Sequence, residues 1–350
     1  MKILRRTTLL IAPVLAAVAT LCTAQAQAQP LEQPSIKVML DWAIQGTHAP
    51  FFVAEKRGYF KQEGFSSVGI DRGNGAGAVI NAAAAGAYPI VLSDVPVMVK
   101  FNAQNPQRGL VAFYMYFDET PLALISLADR NGIRSAADLN GKRVAAPAGA
   151  AIINTMPILL RATRQEQAKI NWITTSPDLM PVMLMRGDAD AIGGFTNSLI
   201  MAVRALGVKS EQMAVFKYAD AGVDLYGLAL MSPQSYVRDN PRTIAAFARA
   251  FNRGLRDTIA DPKAAIAILK EHDPIINADI ETERLQIALA QVITAQTRKA
   301  GLSSVTPERL QKTIDNVAAS ETLPGIPMAR DVYTDRFLPP AAERTVPAAP

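Results

Sequence analysis

Two residues in the stretch 41–64, DWAIQGTHAPFFVAEKRGYFKQEG, have the chemistry to hold a small molecule: Trp42 and His48. The indole offers a flat face for stacking and one fixed N–H donor, and the imidazole can donate to a ligand oxygen or ring nitrogen. Both follow an apolar, strand-like run at 36–40. A chain leaving the carboxyl end of a strand in an open α/β sheet delivers its side chains to the crevice where such folds bind ligands. The stretch is therefore expected to form one wall of a ligand cleft, with Phe51 as a ligand neighbour and Phe52 in the core.

Further polar candidates sit at other strand ends. Asn74, Gly75 and Ala76 belong to a glycine-rich turn before a helix, and Ala148, Gly149 and Ala150 repeat the arrangement later in the chain. The first backbone N–H groups of such helices can receive a carbonyl or anionic oxygen without a charged side chain. The spacing matches neither a Rossmann nor a Walker fingerprint, so no nucleotide is expected. Ser93 and Asp94 follow a third strand-like run, and Phe195, Thr196 and Asn197 follow another. Asp94 can accept from an amino or hydroxyl group, while Thr196 and Asn197 suit either polarity. Of the tyrosines near the crossing strands, Tyr218 and Tyr226 are assigned to the cleft.

Catalysis finds little support. The chain has two histidines, His48 and His272, and no His/Cys spacing suited to zinc. Ser93, Ser198 and Ser232 lie on no nucleophile elbow. No catalytic residue, metal or cofactor is expected.

The elements that must position these groups follow from patterning. Residues 1–28 read as an export signal, with Lys2, Arg5 and Arg6 before an apolar run at 9–21 and cleavage options at 24–26 or 26–28. The run is shorter than the roughly 20 residues of a spanning helix. Cys22 follows Leu21, an unsuitable context for lipid attachment. Removing the leader takes three positive charges from a formal net +5, leaving +2, and takes the one cysteine. No basic stripe remains for nucleic acid, and no disulfide can form in the mature chain.

Ten strand-like runs, at 36–40, 68–71, 90–92, 110–116, 122–127, 143–146, 170–174, 191–193, 213–218 and 226–231, alternate with helical patterns at 76–85, 152–163, 179–186 and 199–206. That alternation predicts βα units and mainly parallel sheets. After residue 239 the pattern is helical, and the Pro- and Ala-rich tail from 339 to 350 is expected to be disordered. Residues 118–121 and 219–225 join strands without a helix, as hinge crossings between lobes would. The expected organisation is lobe 1 at 29–119, lobe 2 at 120–222, and a return to lobe 1 at 223–338.

The stretches 41–65, 72–94 (RGNGAGAVINAAAAGAYPIVLSD), 133–152 (IRSAADLNGKRVAAPAGAAI) and 183–195 (MLMRGDADAIGGF) resemble the solute-binding proteins of ABC transporters that group with thiamin-pyrimidine-precursor, taurine, alkanesulfonate and nitrate binders. The resemblance covers roughly residues 36–300. It implies an α/β, two-lobe type II periplasmic-binding-protein fold with a ligand cleft between the lobes and a helical C-terminal section. It also implies a monomer that captures a small solute and hands it to an inner-membrane permease with its ATPase, and it places His48 pointing into the cleft. Stacking on Trp42 favours a planar pyrimidine-like or aromatic carboxylate solute; an alkanesulfonate, taurine or similar anion is the alternative. The fungal synthase of the thiamin pyrimidine shares the opening motif, but its lysine and histidine fall near Ser93 and Val97 here, and residues 221–226 lack its cysteines. Those departures remove the synthase chemistry and leave a binding shell.

Overall fold

The short apolar runs do become strands, because each is bounded by turn residues and flanked by a helix whose apolar face can cover it. In the computed structural model, residues 29–348 are described; the expected export signal and its cleavage options lie outside them. In chain order the strands are β1 (Ser35–Met39), β2 (Ser67–Asp71), β3 (Ile90–Asp94), β4 (Leu110–Met115), β5 (Leu122–Leu127), β6 (Arg143–Ala146), β7 (Asn171–Thr174), β8 (Ala191–Phe195), β9 (Met213–Lys217) and β10 (Leu228–Pro233). They form two five-stranded sheets, ordered β2-β1-β3-β10-β4 and β7-β6-β8-β5-β9. With helices between the strands, this is a two-lobe α/β fold.

Each sheet is parallel except where a strand arrives from the other lobe. β4 of the first sheet is followed directly by β5 of the second, and β9 of the second directly by β10 of the first. Both newcomers run antiparallel to their neighbours: Leu228 opens β10 opposite Asp94 at the end of β3, and Leu122 opens β5 opposite Phe195 at the end of β8. The chain therefore enters each sheet at the end where the parallel strands finish. Residues 226 and 227 stay outside β10, although they extend its apolar run. Gly227 donates its N–H to the Phe117 carbonyl, and a Cβ there would lie 2.8 Å from the Glu119 carbonyl oxygen.

The crossings are tied together by one guanidinium. Arg309, on the helix Pro307–Ser320, donates through Nη1 to Asp118 at 2.9 Å and through Nε to Asp224 at 2.8 Å. Its cation also lies 4.4 Å from the centre of the Tyr226 ring. Tyr226 accepts at its hydroxyl from the Thr306 N–H. That residue belongs to the crossing rather than the cleft, so its assignment as a ligand contact is corrected.

Behind the first sheet, the twenty-residue helix Pro241–Ala260 crosses the helix Ala49–Lys56. A Cβ at Gly254 would sit 2.2 Å from the Pro50 carbonyl oxygen, so glycine permits the close approach. Phe51 is fully buried here, with its ring 4.7 Å from Phe251 and 6.5 Å from Phe247. Burial of such a ring is worth about 2–3 kcal/mol. Phe51 is thus a core residue and not a ligand neighbour; the helix turns both Phe51 and Phe52 inward, the latter against the His272 ring at 4.4 Å.

The tail departs from its expected disorder. Residues Ala341–Arg344 form a short 3-10 turn. Arg344 donates to the Leu302 carbonyl at 2.6 Å, Leu302 N–H donates back at 2.7 Å, and Asn252 Nδ2 donates to the Glu343 carbonyl at 2.9 Å. Its Pro- and Ala-rich composition hid partners that lie far away in sequence. Among the described residues, no helix is long and apolar enough to cross a membrane.

Candidate functional site

Strand ends from both lobes converge on one slot. The loop after β1 supplies Asp41 and Trp42, and the turn before the helix Ala76–Ala84 supplies Gly75 and Ala76. From the second lobe come Ala150 and Ile152, at the start of the helix Ala151–Ala162, and Phe195 at the end of β8. The cleft's volume is about 40 Å³. That is a narrow slot, because the lobes stand close together. A wider hollow of about 820 Å³ opens at the opposite ends of β1 and β2, beside Ser35 and Ser67. It lies away from the carboxyl ends where open α/β sheets place ligands.

The two glycine-rich turns face each other across the mouth. Gly77 N–H donates to the Gly149 carbonyl at 3.2 Å, and a Cβ on Gly77 would approach that oxygen to 3.1 Å. The lobes meet there backbone to backbone. Asn74, Ala148 and Gly149 are exposed on the rim outside the slot, whereas Gly75, Ala76 and Ala150 line it.

His48 is fully buried and does not line the slot. Its Nδ1 accepts from the Gln45 N–H at 3.2 Å, which leaves the ring proton on Nε2, donated to Asp41 Oδ1 at 2.9 Å. Both ring nitrogens are engaged by the protein. The expectation that His48 reaches the ligand is corrected: a short 3-10 turn, Gly46–His48, carries the imidazole behind the loop, where it orients Asp41. Asp41, not His48, lines the cleft.

A buried polar layer flanks the slot. Asp94 caps the helix Val95–Gln104 by accepting from Val97 N–H, yet its Oδ2 has no partner. Burial, aided by the nearby Asp41 charge, pushes its carboxyl up to about 8. Ser93 donates to the Ala76 carbonyl at 3.3 Å. Thr196 Oγ1 and Asn197 Oδ1 are also buried without partners, while Asn197 Nδ2 donates to Thr47 Oγ1 in the other lobe at 2.8 Å. Tyr218 is buried, with its hydroxyl 3.4 Å from Thr155 Oγ1, and burial raises its phenol above the ordinary range. None of these five, Ser93, Asp94, Thr196, Asn197 or Tyr218, lines the slot, so each sits behind its wall.

A latch lies beside this layer. Gln45 and Ser198 exchange side-chain hydrogen bonds at 2.8 and 3.2 Å, and Arg284 donates to the Asn197 and Ser198 carbonyls at 3.2 and 3.0 Å. The same guanidinium pairs with Glu281, which accepts from Gly46 N–H. The loop that carries Trp42 is thus fastened to the second lobe through the helix Ala278–Leu289.

Sequence reasoning missed Asp41, Pro147, Ala151, Ile152, Met180 and the pair Gly193–Gly194, together with Ser198, Leu199 and Leu228. Two carried a signal. Asp41 is an acid at a strand end, next to the residue chosen. Consecutive glycines at a strand end mark close approach: a Cβ on Gly193 would lie 2.9 Å from Ile152 Cγ1. The apolar liners are indistinguishable by type from core positions.

Residues 45–265 match the family model described as NMT1/THI5 like. A formylaminopyrimidine-binding protein from Halalkalibacterium halodurans is 26% identical over 265 residues, covering 74% of this chain and 78% of that protein. Among solved structures, a protein from Bordetella bronchiseptica RB50 superposes with a TM-score of 0.67 at 17% identity, covering 88% of this chain and 97% of its own. The alkanesulfonate-binding protein from Xanthomonas axonopodis pv. citri, bound to MOPS, gives 0.63 at 15% identity, covering 87% and 99%. At such identities the structural likeness shows the fold.

Proposed function

Since this chain belongs to the NMT1/THI5-like family, we propose that it is the periplasmic solute-binding component of an ABC importer, exported by its first residues, capturing a small planar solute between two lobes and delivering it to a permease with its ATPase. Of the two solute types that a stacking indole suits, an amine-bearing pyrimidine-like ring fits the slot better than an aromatic carboxylate. One observation carries that choice: Asp41 is the charged side chain in the slot lining, next to Trp42, and no Lys or Arg stands with it. A carboxylate accepts and cannot donate. An aminopyrimidine presents N–H groups to Asp41 and a flat face to the indole, whereas an acid would bring like charge against Asp41. The formylaminopyrimidine binder among the relatives agrees with this direction.

The histidines support binding rather than catalysis: His48 is held by Asp41 and Gln45, and His272 lies on Phe52. Thermal melts test the reading. A ligand that binds the folded form alone adds about 2.7 kcal/mol of stability at a hundredfold excess over Kd. The melting temperature is expected to rise with 4-aminopyrimidine and to stay put with benzoate, ethanesulfonate and nitrate. A rise with the anions and none with the aminopyrimidine would overturn the proposal.

A further inference from the structure

Outside the slot, the two lobes are tied by protein groups alone. The ties run along the second-lobe helix Thr196–Arg204. At its root Thr196 N–H donates to the Pro121 carbonyl at 2.9 Å, so the helix sets out from the first crossing. One residue on, Asn197 Nδ2 donates to Thr47 Oγ1, and Ser198 pairs with Gln45, while the carbonyls of both residues accept from Arg284. At the far end, about 10 Å further along the helix, Arg204 pairs with Glu283. The partners come from residues 45–47 and from the helix Ala278–Leu289. These two form one block: a Cβ on Gly46 would lie 2.3 Å from the Glu281 carbonyl oxygen, and Gly46 N–H donates to the Glu281 carboxylate.

The ties are unequal. Arg204 and Glu283 are 36% and 40% exposed, and water screens such a pair. Arg284 is 11% exposed and Glu281 10%. The guanidinium donates through Nε to both Glu281 oxygens and through Nη1 to the two carbonyls, at 3.0 to 3.2 Å. Hydrogen bonds from a charged donor sheltered from water are the strong ones, so Arg284 is the principal tie. Neither Arg284 nor Gln45 lines the slot. What Arg284 contributes to solute binding is therefore carried by the closing of the lobes and not by contact.

Resting on the solute-capture reading above, we infer that Arg284 is the positioning residue that gates the slot: its release from the Asn197 and Ser198 carbonyls precedes both entry and departure of the solute. Because each tie joins protein to protein, the gate holds in the free protein as well. Glu281 grips the guanidinium from the same helix, so the lobes part at the two carbonyls.

Two measurements on the purified protein test this. Small-angle X-ray scattering of the protein alone reads the separation of the lobes. Stopped-flow fluorescence, with the slot's Trp42 as reporter, reads the entry of 4-aminopyrimidine. Wild type is expected to be compact, and its observed rate to level off with rising 4-aminopyrimidine at the rate of opening. Arg284→Met should enlarge the radius of gyration, abolish the plateau and speed release by about tenfold or more. Should the stranded Glu281 unfold that variant, combining Arg284→Met with Glu281→Gln leaves no unpaired charge and keeps an acceptor for Gly46 N–H. Arg204→Gln should leave both readouts near wild type, since its pair is screened. A wild type as extended as Arg284→Met, a wild-type rate that climbs without levelling, or an Arg204→Gln effect as large as that of Arg284→Met would overturn the inference. If 4-aminopyrimidine does not bind, the aminopyrimidine reading falls and scattering alone decides the gate: equal radii overturn it, and an enlarged Arg284→Met upholds it.

Discussion

Replacing Arg309 by Met removes the cation that joins the two crossings while keeping most of the stem's volume. Its side chain is 18% exposed; Asp118 is 3% exposed and Asp224 42%. The two ion pairs therefore weigh very differently. Breaking a buried pair and stranding its partner costs about 3–5 kcal/mol, and Asp118 falls at the low end because Thr294 still donates to its other oxygen. The half-exposed Asp224 pair is screened by solvent and adds about 0–1 kcal/mol. Loss of the cation above Tyr226 contributes about 0.5 kcal/mol. The expected destabilisation is about 3.5–4.5 kcal/mol. With an unfolding entropy of about 2.1 cal/mol/K per residue over roughly 320 residues, the melting point falls by about 6 °C. Asp224→Asn should cost about 0.5 kcal/mol and Arg309→Lys about 1–2, since a lysine keeps charge but reaches one carboxylate. Urea unfolding of the four proteins is the assay. An Arg309→Met loss below about 1 kcal/mol, or an equal loss in Asp224→Asn, would refute the ranking by burial.

Three other substitutions follow from the site. Trp42→Ala should weaken binding of an aminopyrimidine by about 2 kcal/mol, roughly thirtyfold, with little change in the unliganded melting point, because the indole is only half-buried; titration and melts together check it. His48→Ala should instead lower stability by about 2–3 kcal/mol, since it strands Asp41 Oδ1 and the Gln45 N–H; affinity lost without stability would return the imidazole to the ligand. Asp94 holds its proton to about pH 8 in the folded chain against 3.8 for a free group. Its contribution is therefore fully present below about pH 4, declines as pH rises, and is gone above about pH 8. Asp94→Asn should flatten that decline and raise urea midpoints at pH 9 relative to wild type; an unchanged slope between pH 5 and 9 would contradict it.

The ten strands were legible because each is a short apolar run between turn signals, and burial of one face enforces that pattern wherever the strand sits. The two joins without an α-helix were legible for the same reason, although the second holds a 3-10 turn, Ala219–Ala221, and their effect on strand direction came only with the sheets. Side-chain destinations were not. His48 and Phe51 follow the liner Trp42 within ten residues, yet a 3-10 turn sends His48 behind the loop and the following helix sends Phe51 to the core. Tyr226 was drawn out of the cleft by Thr306 and Arg309, partners about eighty residues away. Asp94 was rightly placed at a strand end, but the wall formed by Ala76 and Leu228 stands in front of it. For Phe51, Tyr226 and Asp94 the deciding partner is remote in sequence, where residue type and spacing carry no information, whereas His48 is held by its near neighbours Gln45 and Asp41.

The meeting of Gly77 and Gly149 separates two demands that binding proteins must satisfy. A seal made from an amide and a carbonyl uses no side chain, so it freezes no rotamers and holds no opinion about what has been enclosed. Solute preference can then drift through Asp41, Trp42 or Phe195 while the act of shutting stays the same. The same seal makes the first turn intolerant of bulk: a valine at Gly77 would press on the Gly149 carbonyl and prop the halves apart, and a protein so wedged would release its cargo faster without any change in the groups that recognise it.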